Sequence, residues 1–440
     1  MHSPNHNFAQ VLAELEEWGG YESSAQPRDI SKLDGIKRLL KDLDNPEKNF
    51  KIIHVAGTNG KGLTSAMISR LLGEEGFLSG CYSSPHLVDI RERISINGRI
   101  VSESAFAKSA SRVLSIAKNY KGNPYLSYFD ILTAVAFHVF LSCKMEWVVL
   151  ETGLGGRSDS TNVTEKELCV LTRIGLDHQE VLGSDLKQIA SEKMGITRRG
   201  IPVIVTPQAE ELKLWLKEKL SIDNVPCFFV NDIFEREFPN QILSPVIFTK
   251  PWIECFKTSL SAMQILFKAK AKQKQKWVNA VQKVTLPGRL DMRQNVFWQK
   301  YKKNFKKILT DVGHNQDALF ALSEFIHNNN LSPCTLILGM ASDKLNENLR
   351  APLKKLCKNA ENIILTSVHS PRSANPEFLE SFLSNSGAMK HSPVIKLTES
   401  AEDALKISLT TPEIPVVATG SFYLVGKVMH LLGINTEKSN

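Results

Sequence analysis

The stretch His54-Val-Ala-Gly-Thr-Asn-Gly-Lys-Gly-Leu-Thr64 sets a lysine inside a glycine-rich turn directly after the strand-like run Lys51-Ile-Ile-His-Val55. No other feature restricts the fold as much. Glycines let backbone N–H groups approach an anion, a helix expected over 64–72 aims its positive end at the turn, and Lys61 adds a charge on a mobile stem. A phosphate cradle therefore comes with a sheet whose strand ends share one edge. The turn departs from the general nucleotide-binding pattern: Gly57-Thr-Asn-Gly-Lys61 is two residues shorter between its glycines, and Gly62-Leu63 stands where a hydroxyl residue normally follows the lysine.

A chain of 440 residues is longer than one core usually holds, so two or three domains are expected. Hydrophobic content of 42% and charged content of 23% fit an ordinary globular protein. The net charge of +8 comes largely from two tracts, Lys268 to Lys276 and Lys300 to Lys307, which read as solvated helical faces. Aromatic residues are not interleaved there as a stacking platform for nucleic acid would need. Seven scattered cysteines, odd in number and never in a C-x-x-C pair, suit a reduced cytoplasmic setting. The N-terminus lacks a basic start with an apolar core, and no apolar run reaches the roughly 20 residues that span a bilayer.

Amphipathic spacing predicts helices over 8–18 and 31–43 ahead of the turn. Beyond it, strands over 80–82, 147–151, 169–174 and 201–205 alternate with helices over 104–118, 131–142 and 186–194, the pattern of a mostly parallel sheet covered by helices. A second alternation follows Pro287-Gly288, with strands over 308–311, 335–339, 362–366 and 415–419. The expectation is an α/β chain with an N-terminal unit over 1–288 and a smaller C-terminal unit over 289–440. The segment 207–285 is hard to read, and its lysine-rich part is taken as surface decoration.

Glu151 closes the apolar run Trp147-Val-Val-Leu150 and precedes Gly153-Leu-Gly-Gly156-Arg157-Ser-Asp-Ser-Thr-Asn162. Ligands of parallel sheets sit beyond the carboxyl ends of the strands, so Glu151 can face the phosphates as a metal ligand. Asp177-His178 should emerge on the same edge, although magnesium prefers oxygen, and on residues alone the histidine reads as structural. Lys193 reads as a surface helix lysine. Asp311-Val-Gly-His314-Asn315 and Gly420-Ser421 end strands of the second alternation, and together they describe a second strand-edge site facing the first across a cleft.

These elements in this order resemble the dihydrofolate synthase/folylpolyglutamate synthase branch of the ATP-dependent Mur ligases. The matching runs are His54–Gly62, Tyr82-Ser-Ser-Pro-His86, Glu92-Arg-Ile94, Glu151 to Gly156 with Asp159 and Thr161-Asn162, Leu176-Asp-His178, Glu192-Lys193 with Gly195-Ile196, Leu286-Pro-Gly-Arg289, Asp311 with His314-Asn315, Asp343-Lys344 and Gly420-Ser421. The resemblance spans residues 30 to 426. It implies a P-loop ATPase domain and a Rossmann-like domain, with ATP and Mg2+ used to join L-glutamate to dihydropteroate or to a reduced folate through an acyl phosphate. It further implies a cytoplasmic monomer with no nucleic-acid or membrane partner.

By matching positions, Gly57, Thr58, Asn59, Gly60, Lys61 and Gly62 would wrap the phosphates, with Thr64 the remaining hydroxyl. Ser84, Glu151 and His178 would hold one magnesium ion. Lys193, reversing the surface reading, would be carbamylated and help hold a second. Arg289 and Asp311 would reach ATP, with Asp311 at the ribose; His314 and Ser421 would receive glutamate, with His314 close to the chemistry. Phe129, otherwise a core phenylalanine, would lie against the pterin, with Asp159 on the substrate side. Leu63, Asp130, Ser158, Ser160, Gly313 and Gln316 depart from frequent family residues. They leave open an enzyme with only one of the two activities, and a nucleotide-dependent nucleic-acid-binding ATPase is the reading from a different class.

Overall fold

Strand β1 (Lys51–Ala56) is buried at every residue from Ile52 onward, as expected of a strand covered on both faces. The computed structural model describes residues 7–19, 33–120, 126–239, 249–368, 370–385 and 394–434. With β1 belong β2 (Ser79–Tyr82), β3 (Ile94–Ile96), β4 (Arg99–Ile100), β5 (Trp147–Glu151), β6 (Leu168–Leu171), β7 (Val203–Val205) and β8 (Cys227–Phe229). They form a sheet in the order β4-β3-β2-β5-β1-β6-β7-β8. The pairs from β2 to β8 are parallel, and β3 and β4 add an antiparallel edge.

The second sheet contains β9 (Asp291–Trp298), β10 (Lys303–Asp311), β11 (Cys334–Leu338), β12 (Ala360–Thr366), β13 (Val394–Thr398) and β14 (Val416–Thr419), in the order β13-β12-β11-β14-β10-β9. Only β9 runs antiparallel to its neighbour. Each sheet has apolar clusters of its own. The chain is thus a mixed α/β protein with a larger N-terminal sheet and a smaller C-terminal one.

Several boundaries differ from the sequence reading. The phosphate-turn helix runs Lys61–Glu74 with Gly60 as its cap, so Lys61 stands on the first helical turn instead of ahead of it. Helix Tyr128–Ser142 begins three residues before the expected 131, because Ser127 and Asp130 form a capping box that the apolar pattern does not register. The strand expected over 169–174 ends at Leu171, which frees Arg173 to bond the turn. Strands β9 and β13 were not foreseen; the first is a half-exposed edge without clean alternation.

The lysine-rich segment also needs correction. Helix Ala271–Val281 exposes Lys272 and Lys276 but buries Trp277 and Val281. These join Met67, Ile68 and Leu71 of the turn helix and Leu260 of helix Lys250–Phe267 in one core. Trp277 donates its indole N–H to Glu75 at 2.7 Å. The segment is a wall behind the phosphate turn, and lysine stems cover its outer face. The second tract, 300–307, is a β9–β10 hairpin and not a helical face.

All seven cysteines are free thiols. Among the described residues no helix is long and apolar enough to cross a membrane.

His54 lies on β1 with 0% exposure. Its Nε2 is 2.8 Å from Thr161 Oγ1, while Nδ1 is buried without a partner. Burial, followed by the charges of Lys166 and Arg198, holds its pKa well below the ordinary 6.5. The unfolded chain therefore takes up this proton first, and the stability present above about pH 6.5 is lost as pH falls below it. At pH 5.5 the loss from this residue alone is about 1.4 kcal/mol. Urea unfolding at pH 7.5 and 5.5 should accordingly register a decline about 1.4 kcal/mol smaller in His54→Gln than in the parent; equal declines would contradict it.

Candidate active site

Strands β2, β5, β1 and β6 lie side by side and parallel, so the loops leaving their carboxyl ends emerge together. These loops carry Ser84, Gly153 to Asp159, Gly57 to Gly60, and Arg173 to His178. In the second sheet β11, β14 and β10 are likewise adjacent and parallel, bringing together Lys344, Ser421 and His314. Both edges open onto one cleft of about 1670 Å³. Every residue expected at a site, from Gly57 to Ser421, lines it.

The phosphate turn is fixed from below. The Thr58 and Asn59 amides donate to the Arg173 carbonyl at 2.9 and 3.1 Å, and Thr58 Oγ1 donates to the Gly175 carbonyl at 3.0 Å. Gly60 takes a positive φ of 87° as the helix cap, a conformation that favours glycine. Lys61 Nζ folds back onto the Gly57 and Thr58 carbonyls at 3.2 and 3.4 Å, where an incoming anion can draw it away. Thr64 is 0% exposed at the cleft wall.

Lys193 is not a surface lysine. It is 4% exposed and donates to the Gly57 carbonyl at 2.9 Å. Burial, and then the charge of Lys61, pushes its pKa down to about 7. A substantial neutral fraction near pH 7 makes the amine a nucleophile as well as a cation.

Glu151 is 4% exposed and, among the described residues, accepts only a 3.3 Å bond from the Ser84 amide. Burial raises its pKa, opposed by Lys61 and Arg289. His178 caps a short helix in a left-handed conformation, φ 51°; burial lowers its pKa to about 4, which leaves the imidazole neutral. No group of three His, Cys, Asp or Glu side chains suited to a metal exists among the described residues. One under-bonded carboxylate, one hydroxyl and one neutral imidazole beside a phosphate turn still fit Mg2+, which commonly completes its shell with phosphate oxygens and water.

The second edge meets the first through polar links. Asn315 Nδ2 donates to Asn59 Oδ1 at 2.9 Å, Arg173 Nε to Asp317 at 3.2 Å, and Lys344 Nζ to Asp177 at 2.5 Å. His314 bonds the Val312 carbonyl through Nδ1 at 2.9 Å and points Nε2 to Asp177 at 3.7 Å. Burial alone would raise the Asp177 carboxyl; the facing His314 imidazole and the charge of Lys344 hold it well below the carboxylate range. The Arg289 guanidinium lies 4.8 Å from the centre of the Phe422 ring.

Three expected ligand contacts have other partners here. Asp311 accepts the Leu290 and Gly313 amides at 2.9 and 2.8 Å, which ties the chain entering β9 to the end of β10. Ser421 Oγ accepts the Tyr423 amide at 3.1 Å. Asp159 accepts from the Leu154 amide at 2.9 Å and from Thr161 Oγ1 at 2.5 Å, so its carboxylate shapes the glycine loop. Phe129 does line the cleft, 5.8 Å from Tyr82. Two departures prove to be one feature: Ser160 Oγ donates to the Asp130 carboxylate at 2.5 Å. Arg173 and Asp317 were missed; a lone charge in a loop and one in the first turn of helix Gln316–Asn328 give no signal until the two are brought together.

Against known families, residues 293–431 match the model described as dihydrofolate synthetase, C-terminal domain. Among solved structures, the Mycobacterium tuberculosis folylpolyglutamate synthase complexed with ADP and AMPPCP superposes with a TM-score of 0.80 at 23% identity, covering 97% of this chain and 100% of that one. The Escherichia coli FolC complex with DHPP and ADP gives 0.78 at 24% identity, covering 98% and 99%. A dihydrofolate synthase/folylpolyglutamate synthase from Buchnera aphidicola is 30% identical over 98% of both chains. Such identity across essentially the whole length, on a fold shared with those structures, places the protein in the dihydrofolate synthase/folylpolyglutamate synthase family.

Proposed function

We propose that the protein is an ATP-dependent ligase that joins L-glutamate to dihydropteroate, giving dihydrofolate, and to the terminal glutamate of reduced folates. The observation that carries this is the single cleft in which a phosphate turn, a buried lysine and a buried carboxylate from one sheet meet Arg289, His314 and Lys344 from the other. The division into 1–288 and 289–440 is part of the same proposal, as is action as a monomer, since one chain supplies both walls.

A carboxylate is a poor electrophile, and transfer of the γ-phosphoryl group of ATP gives it a leaving group. The turn amides and Lys61 would neutralise that group as it moves, where preorganised donors act best. Arg289 would approach the nucleotide from the second sheet, with Asp311 holding the Leu290–Gly313 backbone that faces the ribose. Phe129 would support the pterin. Incoming glutamate, bound near His314 and the Ser421 helix start, would attack the acyl carbon with its amine, expel phosphate and lose a proton. Mg2+ held by Ser84, Glu151 and His178 would screen phosphate charge, and carbamylation of Lys193 would convert a cation into an anionic ligand for a second ion. A single-activity enzyme is the alternative, motivated by the Asp130–Ser160 bond on the helix that carries Phe129.

Incubation with ATP, magnesium and L-glutamate should release ADP with dihydropteroate and separately with tetrahydrofolate, each product gaining one glutamate in mass. A gain with only one substrate selects that activity, and glutamate-independent turnover sinks the reading. Lys61→Ala should lower kcat by about 10²-fold or more while the thermal melt is kept, because it deletes charge from a preformed site. Near-normal turnover would remove the phosphate assignment. Lys193→Ala should be impaired and partly restored by formate or acetate; an unimpaired variant would reject carbamylation.

A further inference from the structure

Asn162 is buried and does not line the cleft, and its amide uses its whole hydrogen-bonding capacity. Its Oδ1 accepts from Lys166 Nζ at 2.7 Å and from Arg198 Nη2 at 2.9 Å. Its Nδ2 donates to the Arg157 carbonyl at 2.9 Å and the Gly195 carbonyl at 3.0 Å. An amide has two donors and two lone pairs, and all are engaged here. Two cations facing one end also settle which end is oxygen, since reversal would aim N–H groups at both. Lys166 is 6% exposed, and no carboxylate pairs with it among the described residues.

The two carbonyls that Nδ2 joins belong to different elements. Arg157 ends the glycine loop after β5, and Gly195 caps helix Leu186–Met194, which carries Lys193. These elements touch backbone to backbone: a Cβ at Gly195 would lie 2.4 Å from Arg157 Cα, and one at Gly156 would lie 2.8 Å from the carbonyl oxygens of Glu192 and Lys193. The Arg157 amide bonds the Glu192 carbonyl at 2.9 Å. The Arg157 side chain adds bonds to Glu192 at 3.2 Å and to the Ser191 carbonyl at 3.1 Å, and the Asn162 amide extends this seam to Gly195, the residue that ends the helix.

We infer that Asn162 is a positioning residue for Lys193: its amide, oriented by Lys166 and Arg198, pins the end of the Lys193 helix to the glycine loop and so sets where the Lys193 nitrogen meets the phosphate turn. This rests on the ligase reading above. Misplacement of a reacting group by about 1 Å costs up to ~10²-fold in rate.

Asn162→Asp separates positioning from folding. Its carboxylate would gain charge-assisted bonds from Lys166 and Arg198, while the oxygen replacing Nδ2 would face two carbonyl oxygens and break the pin. With the full-length protein and the same glutamate-ligation assay, Asn162→Asp is expected to melt at or above the parent temperature. It should lose about tenfold or more in kcat and leave KM for ATP within about threefold. In a Lys193→Ala background the substitution should cause no further loss. Parental kcat in Asn162→Asp, an equal loss in both backgrounds, or failure to fold would each overturn the inference. Asn162→Ala, which cannot pair with the cations, gives a second reading of the same non-additivity. Absence of turnover in the parent would instead defeat the ligase reading itself.

Discussion

The bond from the Lys193 ammonium to the Gly57 carbonyl holds this structure's chemistry together. It is a 2.9 Å contact between a helix far along the chain and the first residue of the phosphate turn. Removing a lysine from water is costly unless the group is bonded or loses its charge, and here burial beside Lys61 does both in part. The helix that delivers it is in turn seated on the glycine loop following Glu151. The phosphate turn, the carboxylate strand end and the buried lysine therefore form one rigid body, as preorganised charge stabilisation requires.

The second sheet joins that body through short polar links and through Leu87, which packs against the apolar cluster of the second sheet. Asn59 to Asn315, Arg173 to Asp317 and Asp177 to Lys344 all run from loops at strand ends. Because Asn59 belongs to the turn itself, the anion site and the far wall share a hydrogen bond. Asp177 connects His178 on one wall with His314 and Lys344 on the other. A cleft built this way brings groups of both signs to face one shared space.

Much of the fold was legible. The runs at 147–151 and 186–194 have structural bounds identical to those expected, because each is short, continuous and bounded by glycine or a capping aspartate. The start of helix Tyr128–Ser142 was not, since a capping box is a side-chain bond and leaves no apolar period. The lysine tract misled for a related reason: five charged stems in nine residues mask the Trp277 and Val281 that the helix buries. Lys193 is the sharpest case. A lysine at a helix end in Glu-Lys-Met-Gly has no local mark of burial, and only resemblance singled it out.

What the sequence determined by itself is the set of local devices: a glycine turn after an apolar strand, strand-end carboxylates, and the family order of motifs, all of which act over a few residues. Tertiary structure decided which partners those groups have. It gave Asp159, Asp311 and Ser421 to their own backbones, coupled Asp130 to Ser160, and buried Lys193 against the turn. Those outcomes depend on how closely distant loops approach. That distance is set by backbone contact between glycines and by sheet register, neither of which is written at any single position.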